Sequence, residues 1–443
     1  MKLWTKSSDA LAEVTAFTTG DDLTWDAYLA RYDVLGSLAH IRMLQSIGLL
    51  TADELAALSA ELKNILKSID AGTFVLEPGV EDVHSQVELL LTRTLGDAGK
   101  KIHSGRSRND QVLLDTKLFL RAEIESLVGD VHALFNLLLR RSDELKDKLL
   151  PGYTHLQLAM PSSFGLWLGA YAESFVDDMI MLQAAYRVAN KNPLGSGAGY
   201  GSSFPLNRRM TTELLGFEDL NYNVVYAQMG RGKTERIVAG ALGNVAATLS
   251  KLAMDACLYL NPNFGFISFP DELTTGSSIM PHKKNPDVFE MVRGRCNTIQ
   301  SIAGEITLLT ANLPSGYHRE LQLLKEKLFP AFQSLRDCLR MTGLMIARMS
   351  VKDDILAGEA YTYLFSVEEV NRLVLKGVPF RDAYRNVGLS IEQGMFSPDR
   401  TLRHTHEGSI GNLCHNDIRR MMEEAVRSFP FQTAEQALKK LVN

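Results

Sequence analysis

Apolar residues along this chain recur at intervals of three and four far more often than they alternate, which predicts helices rather than strands. Val112, Leu113, Lys117, Leu120, Ile124, Leu127, Val131, Leu134 and Leu138 keep that period through a proline-free stretch from Ser104 to Leu149. The spacing predicts one very long helix, and at ~1.5 Å per residue it approaches roughly 60 Å. A second long run, Gln228 to Leu260, repeats Ile237, Ala241, Val245, Leu249, Leu252, Ala256 and Tyr259. Its other faces carry Ala239, Gly240, Gly243, Ala246 and Ala247, small enough to admit close neighbours, so this helix is expected to be surrounded. Further helical runs cover 162–189, 286–311 and 320–349. The expectation is a mainly α chain with an elongated central helical bundle. Three segments follow: an N-terminal helical domain over 1–103, the long-helix bundle over 104–352, and a small helical C-terminal domain over 353–443. Long helices with apolar residues on several sides commonly complete their burial in partner subunits, so a homo-oligomer is expected.

Composition narrows the function classes. The chain has 443 residues, 45% apolar and 22% charged, with a formal net charge of -5. That balance gives no support for nucleic acid or an anionic membrane as the main partner. Cys257, Cys296, Cys338 and Cys414 are widely spaced, with no CxxC pair, so neither a zinc site nor a disulfide framework is indicated. The opening MKLWTKSSDALAEV lacks an apolar signal core, and no run of about eighteen uncharged apolar residues argues for a membrane span. The expected compartment is the cytoplasm.

Two glycine-rich segments invite nucleotide-binding readings and fail them. GRGKT (230–234) would need glycine at 227 to complete a phosphate-binding loop, and Ala227 stands there without a preceding strand. GSGAGYG (195–201) follows a helical run, and Tyr200 and Ser202 occupy the positions where a dinucleotide fingerprint needs glycine.

Chemistry concentrates elsewhere. In GSSIMPHKKNPD (276–287), Asn285, Pro286 and Asp287 read as the cap and first turn of a helix. The loop therefore ends where unpaired N–H groups and a helix dipole attract anions, and Lys283 and Lys284 reinforce that field. A solvated basic turn is the bland alternative, but it leaves the Gly-Ser-Ser unexplained. HSGRSRND (103–110) sets Arg106 and Arg108 at the start of the longest helix, where forked guanidinium donors suit a carboxylate or phosphate and Asn109 adds an amide. A surface ion-pair cluster is an equal reading of that segment alone. GYTHLQ (152–157) holds His155 between two prolines in a short connection between helices. Its ordinary pKa suits proton transfer, a structural role is the alternative, and Glu290 is the expected partner.

Taken together, HSGRSRNDQ, GYTHLQ, GSSIMPHKKNPD and YHRELQLLKEK from Tyr317 resemble, in order, the motifs of the argininosuccinate lyases of the fumarase/aspartase superfamily. The similarity runs from Asp33 to about Asp382. It implies β-elimination of argininosuccinate to arginine and fumarate, the last step of arginine biosynthesis, without metal or organic cofactor. By resemblance Ser277 is the general base, Lys283 and Asn285 hold the carboxylate on which charge accumulates, and His155, positioned by Glu290, serves the acid side. Thr154 would bind the fumarate portion, Arg106, Ser107, Arg108 and Asn109 would clamp substrate carboxylates, and Tyr317, Gln322 and Lys325 would form the far side of the pocket. His84 and Arg236 are further carry-overs. The implied fold has three mainly helical domains, its long helices forming a homotetramer core with each active site shared between subunits.

The chain also departs from that pattern. KLWTKSS and FTTGDD stand where the family has Trp-Gly-Gly-Arg-Phe and Asn-x-Ser, so the substrate contact made by that serine has no assigned counterpart; His282 replaces a glutamine, and AGYGSSFPLN differs from the family's Ala-Gly run. A related lyase releasing fumarate from another N-substituted aspartate is the alternative activity. An inactive, crystallin-like structural protein is the non-enzymatic one.

Overall fold

A computed structural model describes residues 11–443. The N-terminal region contains α1 (Ala12–Thr19), α2 (Asp22–Asp26), α3 (Ala30–Ser46), α4 (Ala52–Asp70), α5 (Val83–Leu95) and the single turn α6 (Asp97–Lys100). Thr51 and Glu54 start α4 with reciprocal hydrogen bonds that satisfy end N–H groups. Leu38, Ile41, Leu44, Leu58, Leu62, Val87 and Leu91 share a core here with Leu114 and Leu118 from the next helix.

That helix, α7 (Arg108–Glu144), is the predicted long one, trimmed at both ends. A hairpin follows, β1 (Leu149–Thr154) and β2 (Gln157–Ser163), and then α8 (Phe164–Ala189). After short β3 (Lys191–Asn192), α9 (Arg208–Leu214), β4 (Asp219–Leu220) and α10 (Val224–Met229) comes α11 (Lys233–Leu260). Then β5 (Ile267–Ser268) precedes α12 (Asp287–Leu309) and α13 (Leu324–Arg348), and β6 (Ser350–Val351) pairs back antiparallel with β5. Helices α7, α8, α11, α12 and α13 pack along one continuous apolar core that includes Leu127, Phe135, Phe175, Leu242, Leu249, Phe289, Ile299, Phe332 and Ile346. This is the expected elongated bundle, and its fold is mainly α.

The remaining chain folds as α14 (Ser366–Leu375), α15 (Phe380–Glu392), α16 (His415–Arg427) and α17 (Phe431–Val442). Val370, Ala383 and Val387 form a small core between α14 and α15. By contrast α16 packs on α8, and Leu441 of α17 is sealed into the N-terminal core.

Three local expectations change. The run from Gln228 is two helices, because Gly232 adopts φ +79° between α10 and α11 and a Cβ there would meet Thr310 Cγ2 at 2.5 Å. GYTHLQ joins strands rather than helices, with Pro151 paired opposite Pro161 in an isolated two-stranded ribbon that tolerates their missing N–H groups. Helix α12 begins one residue later than expected, with Pro286 at the cap, because Asn285 is committed to the preceding loop. Helix α11 is long and apolar enough to cross a membrane, but more than half of its most apolar stretch is buried inside the protein, as befits a central bundle helix.

Candidate active site

The start of α7 is built by its own side chains. Ser107 caps it, its Oγ accepting from Asn109 N at 3.3 Å while Asp110 Oδ1 accepts from Ser107 N at 2.8 Å. The hydroxyl of Ser107 thus has a structural task. Asp110 Oδ2 accepts from Gly195 N at 3.0 Å and Gly197 N at 2.9 Å, so the glycine-rich segment that imitates a nucleotide loop wraps a carboxylate of the protein itself. Burial pushes the pKa of Asp110 up to about 6, against the pull of those backbone donors.

The two arginines of HSGRSRND diverge. Arg106 is turned into the N-terminal core, where it donates to Ser37 Oγ at 2.9 Å and shares the field of Asp33, Asp110 and Asp115. Arg108 donates to Glu81 Oε2 at 2.9 Å and Ser85 Oγ at 2.6 Å, with Asp82 Oδ2 at 3.3 Å. Arg108 and Asn109 line a cavity of about 270 Å³ together with Tyr317, Gln322 and Lys325, three residues singled out from a motif more than two hundred positions away. Five residues expected as substrate contacts, from two separated motifs, therefore line one space.

Other cavity residues carried no sequence signal. Asp22, Asp26, Glu81, Asp82, Arg231 and Arg319 also line it. Arg231 is buried, bonded to Glu235 Oε1 at 2.9 Å and to Leu321 O at 3.0 Å. Arg236, the arginine expected from this region, instead lines a neighbouring cavity of about 210 Å³ beside Lys233 and His318. Lys325 Nζ donates to Asp26 Oδ1 at 2.7 Å, and Gln322 Nε2 donates to Thr18 O at 2.7 Å, so the N-terminal helices dock directly on the far side of the pocket.

His84 lies behind this wall rather than in it. Its Nδ1 sits 2.9 Å from Asp33 Oδ1 and 3.5 Å from Asp115 Oδ2, all three residues being buried. Burial opposes its charge, but the field and hydrogen bond of Asp33, with Asp115 behind, carry its pKa up to about 10. The ligand atoms of these three residues fall within 4.8 Å of one another. With its proton held by that field, the trio is an imidazolium between two carboxyl groups.

The remaining expected residues lie on two other elements, and none lines the cavity. Thr154 and Gln157 close the hairpin around His155 and Leu156, which adopt φ 54° and φ 60°. A two-residue turn with both φ positive matches hairpin twist but usually needs glycine or asparagine, so this tip stores local strain of about 1–3 kcal/mol per residue. His155 and Thr154 are exposed, and Leu156 beside them is 80% exposed.

The serine loop is tied at its base, where Asn285 N donates to Thr275 O at 2.8 Å and Asn285 Nδ2 to Gly276 O at 3.1 Å. Ser277 Oγ accepts from Met280 N at 3.2 Å and Ile279 N at 3.4 Å. Two backbone donors at this oxygen favour any negative charge it acquires. Lys284 pairs with Asp271, and Lys283 is exposed. Glu290, on the first turns of α12, is exposed, and among the described residues it makes no hydrogen bond or ion pair with His155 within one chain.

A family model described as "Lyase" matches residues 6–301. The chain is similar to an argininosuccinate lyase of Parabacteroides distasonis, at 63% identity over 100% of this chain and 99% of that protein. It is also similar to an argininosuccinate lyase of Bacteroides fragilis, at 62% identity over 100% and 99% of the two chains. Its fold resembles that of an EDDS lyase variant with bound fumarate, with a TM-score of 0.77 at 22% identity, covering 98% of this chain and 94% of the other. The chain belongs to the argininosuccinate lyase family of the fumarase/aspartase superfamily.

Proposed function

We infer that this protein is a carbon–nitrogen lyase that reversibly cleaves argininosuccinate to arginine and fumarate. Full-length identity of 60–63% to curated argininosuccinate lyases carries that reading. The reaction removes a proton from the carbon next to a carboxylate, accumulates a dianion, and expels a guanidino nitrogen that must gain a proton.

Ser277, as an alkoxide, takes the carbon-bound proton; the electron pair moves into the adjacent carboxylate, then forms the double bond of fumarate as the carbon–nitrogen bond breaks. Donation from Met280 N and Ile279 N to Ser277 Oγ supports the base role. Lys283 and Asn285, in the loop that runs into α12, stabilise the dianion. His155, oriented by Glu290, serves proton delivery to the leaving nitrogen, and Thr154 holds the fumarate portion. Arg108 and Asn109 bind substrate from the α7 side, Tyr317, Gln322 and Lys325 from the α13 side. Arg106, Ser107 and His84 act from behind, holding the pocket wall in shape.

We further infer a homotetramer whose sites combine elements of different subunits. Its support is the separation of the cavity, the hairpin tip and the serine loop within one chain, and the exposure of Leu156 (80%) and Ile279 (83%) beside the supposed catalytic groups. The unpaired state of Cys257, Cys296, Cys338 and Cys414 suits a reducing compartment, and we place the enzyme in the cytoplasm.

Purified protein is expected to raise ultraviolet absorbance by releasing fumarate from argininosuccinate. Turnover only of another N-substituted aspartate would replace the substrate, and silence on every such compound would leave a structural, crystallin-like protein.

A further inference from the structure

The segment GRGKTER (230–236) fails as a nucleotide loop, yet it gathers positive charge where α11 begins. Arg231, Lys233 and Arg236 line the cavity of about 210 Å³ noted above, and Ser315, Gly316 and His318 line it from the facing segment. Among the described residues no aspartate or glutamate lines this space. It neighbours the substrate cavity but shares only Arg231 with it.

The three cations differ in how far their charge is already met. Arg231 is neutralised in place, its Nε donating to Glu235 Oε1 at 2.9 Å and its Nη2 to Leu321 O at 3.0 Å. Glu235 Oε2 accepts from Gly232 N at 2.7 Å, so both oxygens of that carboxylate are engaged and the first N–H of the helix end is already capped. Side chains, not the helix end, must therefore hold any ligand. Lys233 and Arg236 are exposed, and among the described residues neither makes a hydrogen bond or an ion pair; the Lys233 ammonium rests 5.4 Å from the centre of the Tyr226 ring. Three positions apart on one helix, they are like-charged neighbours, an arrangement that repels unless an anion joins them.

Across the cavity His318 Nε2 donates to Pro314 O at 3.1 Å, which fixes the ring, and Ser315 adds a hydroxyl. Donors thus approach from two walls. A carboxylate presents its acceptors at one end, whereas a phosphate group presents oxygens in every direction and carries close to the double charge that Lys233 and Arg236 balance. We propose that this cavity binds a phosphate group, gripped by Lys233 and Arg236 from α11 and by Ser315 and His318 from the segment opposite. Its source is either free phosphate or the phosphate ester of a small metabolite.

Calorimetric titration of the purified protein with inorganic phosphate, at ionic strength held constant with chloride, tests the site. Binding should be saturable, and Lys233→Gln and Arg236→Gln should each weaken it about tenfold or more, the loss expected of a charge-assisted hydrogen bond. Unchanged affinity in both variants, or no saturable binding to wild type, overturns the proposal. Glycerol phosphate in the same titration separates the two sources: tighter binding than inorganic phosphate assigns the site to an ester, weaker binding to the free ion. A second arm needs neither variant. Phosphate lodged in the substrate cavity would be displaced by argininosuccinate, whereas Ser277→Ala protein saturated with that compound should still bind phosphate within about twofold of its affinity without it. Loss of binding there overturns the proposal. This arm rests on the argininosuccinate reading above, and the variant titrations decide the site even if that reading fails.

Discussion

Lys325 Nζ and Asp26 Oδ1 lie 2.7 Å apart, with side chains 4% and 2% exposed, and Asp26 also receives Val83 N. This pair joins α2, α5 and α13 at one buried point, so the pocket wall and the docking of the N-terminal helices share a single electrostatic rivet.

Removing Asp26 leaves the Lys325 ammonium one of its two carboxylate partners, Asp22, and removing Lys325 leaves two carboxylates together in a poorly solvated place. Asp26→Ala should therefore cost about 3–5 kcal/mol of stability, whereas adding Lys325→Met should return part of that loss. Chemical denaturation of the single and double variants measures both; additive losses would contradict the coupling.

His84 makes stability depend on alkaline pH. Its pKa rises from the ordinary value of roughly 6.5 to about 10 on folding, so between those values the folded chain holds a proton that the unfolded chain has released. The stabilisation is complete below the lower value and disappears as pH climbs through the upper one. The thermal midpoint of wild type should fall more steeply between about pH 7 and 10 than that of His84→Gln. Parallel curves would show that His84 is not the titrating group.

Ser277→Ala should leave the fold and assembly intact, because among the described residues Ser277 Oγ bonds only within its own exposed loop. Turnover should fall by about a thousandfold or more if this oxygen is the base. Near-normal kcat would refute that role.

Sharing of sites has its own measurement. Ser277→Ala and His155→Asn enzymes, each inactive, should regain activity once their subunits are mixed into hybrids, since some sites then draw both groups from intact copies. Hybrids verified by mass and still inactive would argue that each chain holds a complete site.

Gly232→Ala should cost about 1–3 kcal/mol, through positive φ and a clash with the Thr310 side chain. A melting profile equal to wild type would show that the α10–α11 break relaxes freely.

How much of this was legible beforehand divides along a physical line. Long-range periodicity exposed α7 and α11 because burial on several helix faces writes itself into every third or fourth residue. The serine loop, the arginine pair and the histidine were recognisable because their chemistry demands unusual residue types close together. Asp22, Asp26 and Arg231 escaped notice, since an acid in a short N-terminal helix or an arginine after a glycine has many ordinary uses. Only packing brings them against Lys325. The hairpin at His155 was hidden for a different reason: neither central residue of its turn is glycine or asparagine, so the turn's own chemistry gives no local signal.

The bridge between Thr275 and Asn285 holds both feet of the serine segment together. A strand free at its base would have to be gathered anew each time it covered a ligand, losing chain entropy on every cycle. Here that gathering happens once, during folding. On the role proposed for Ser277, the residues between would tilt as a preformed flap, leaving the binding energy of the substrate to aim a hydroxyl instead of assembling the arm that carries it.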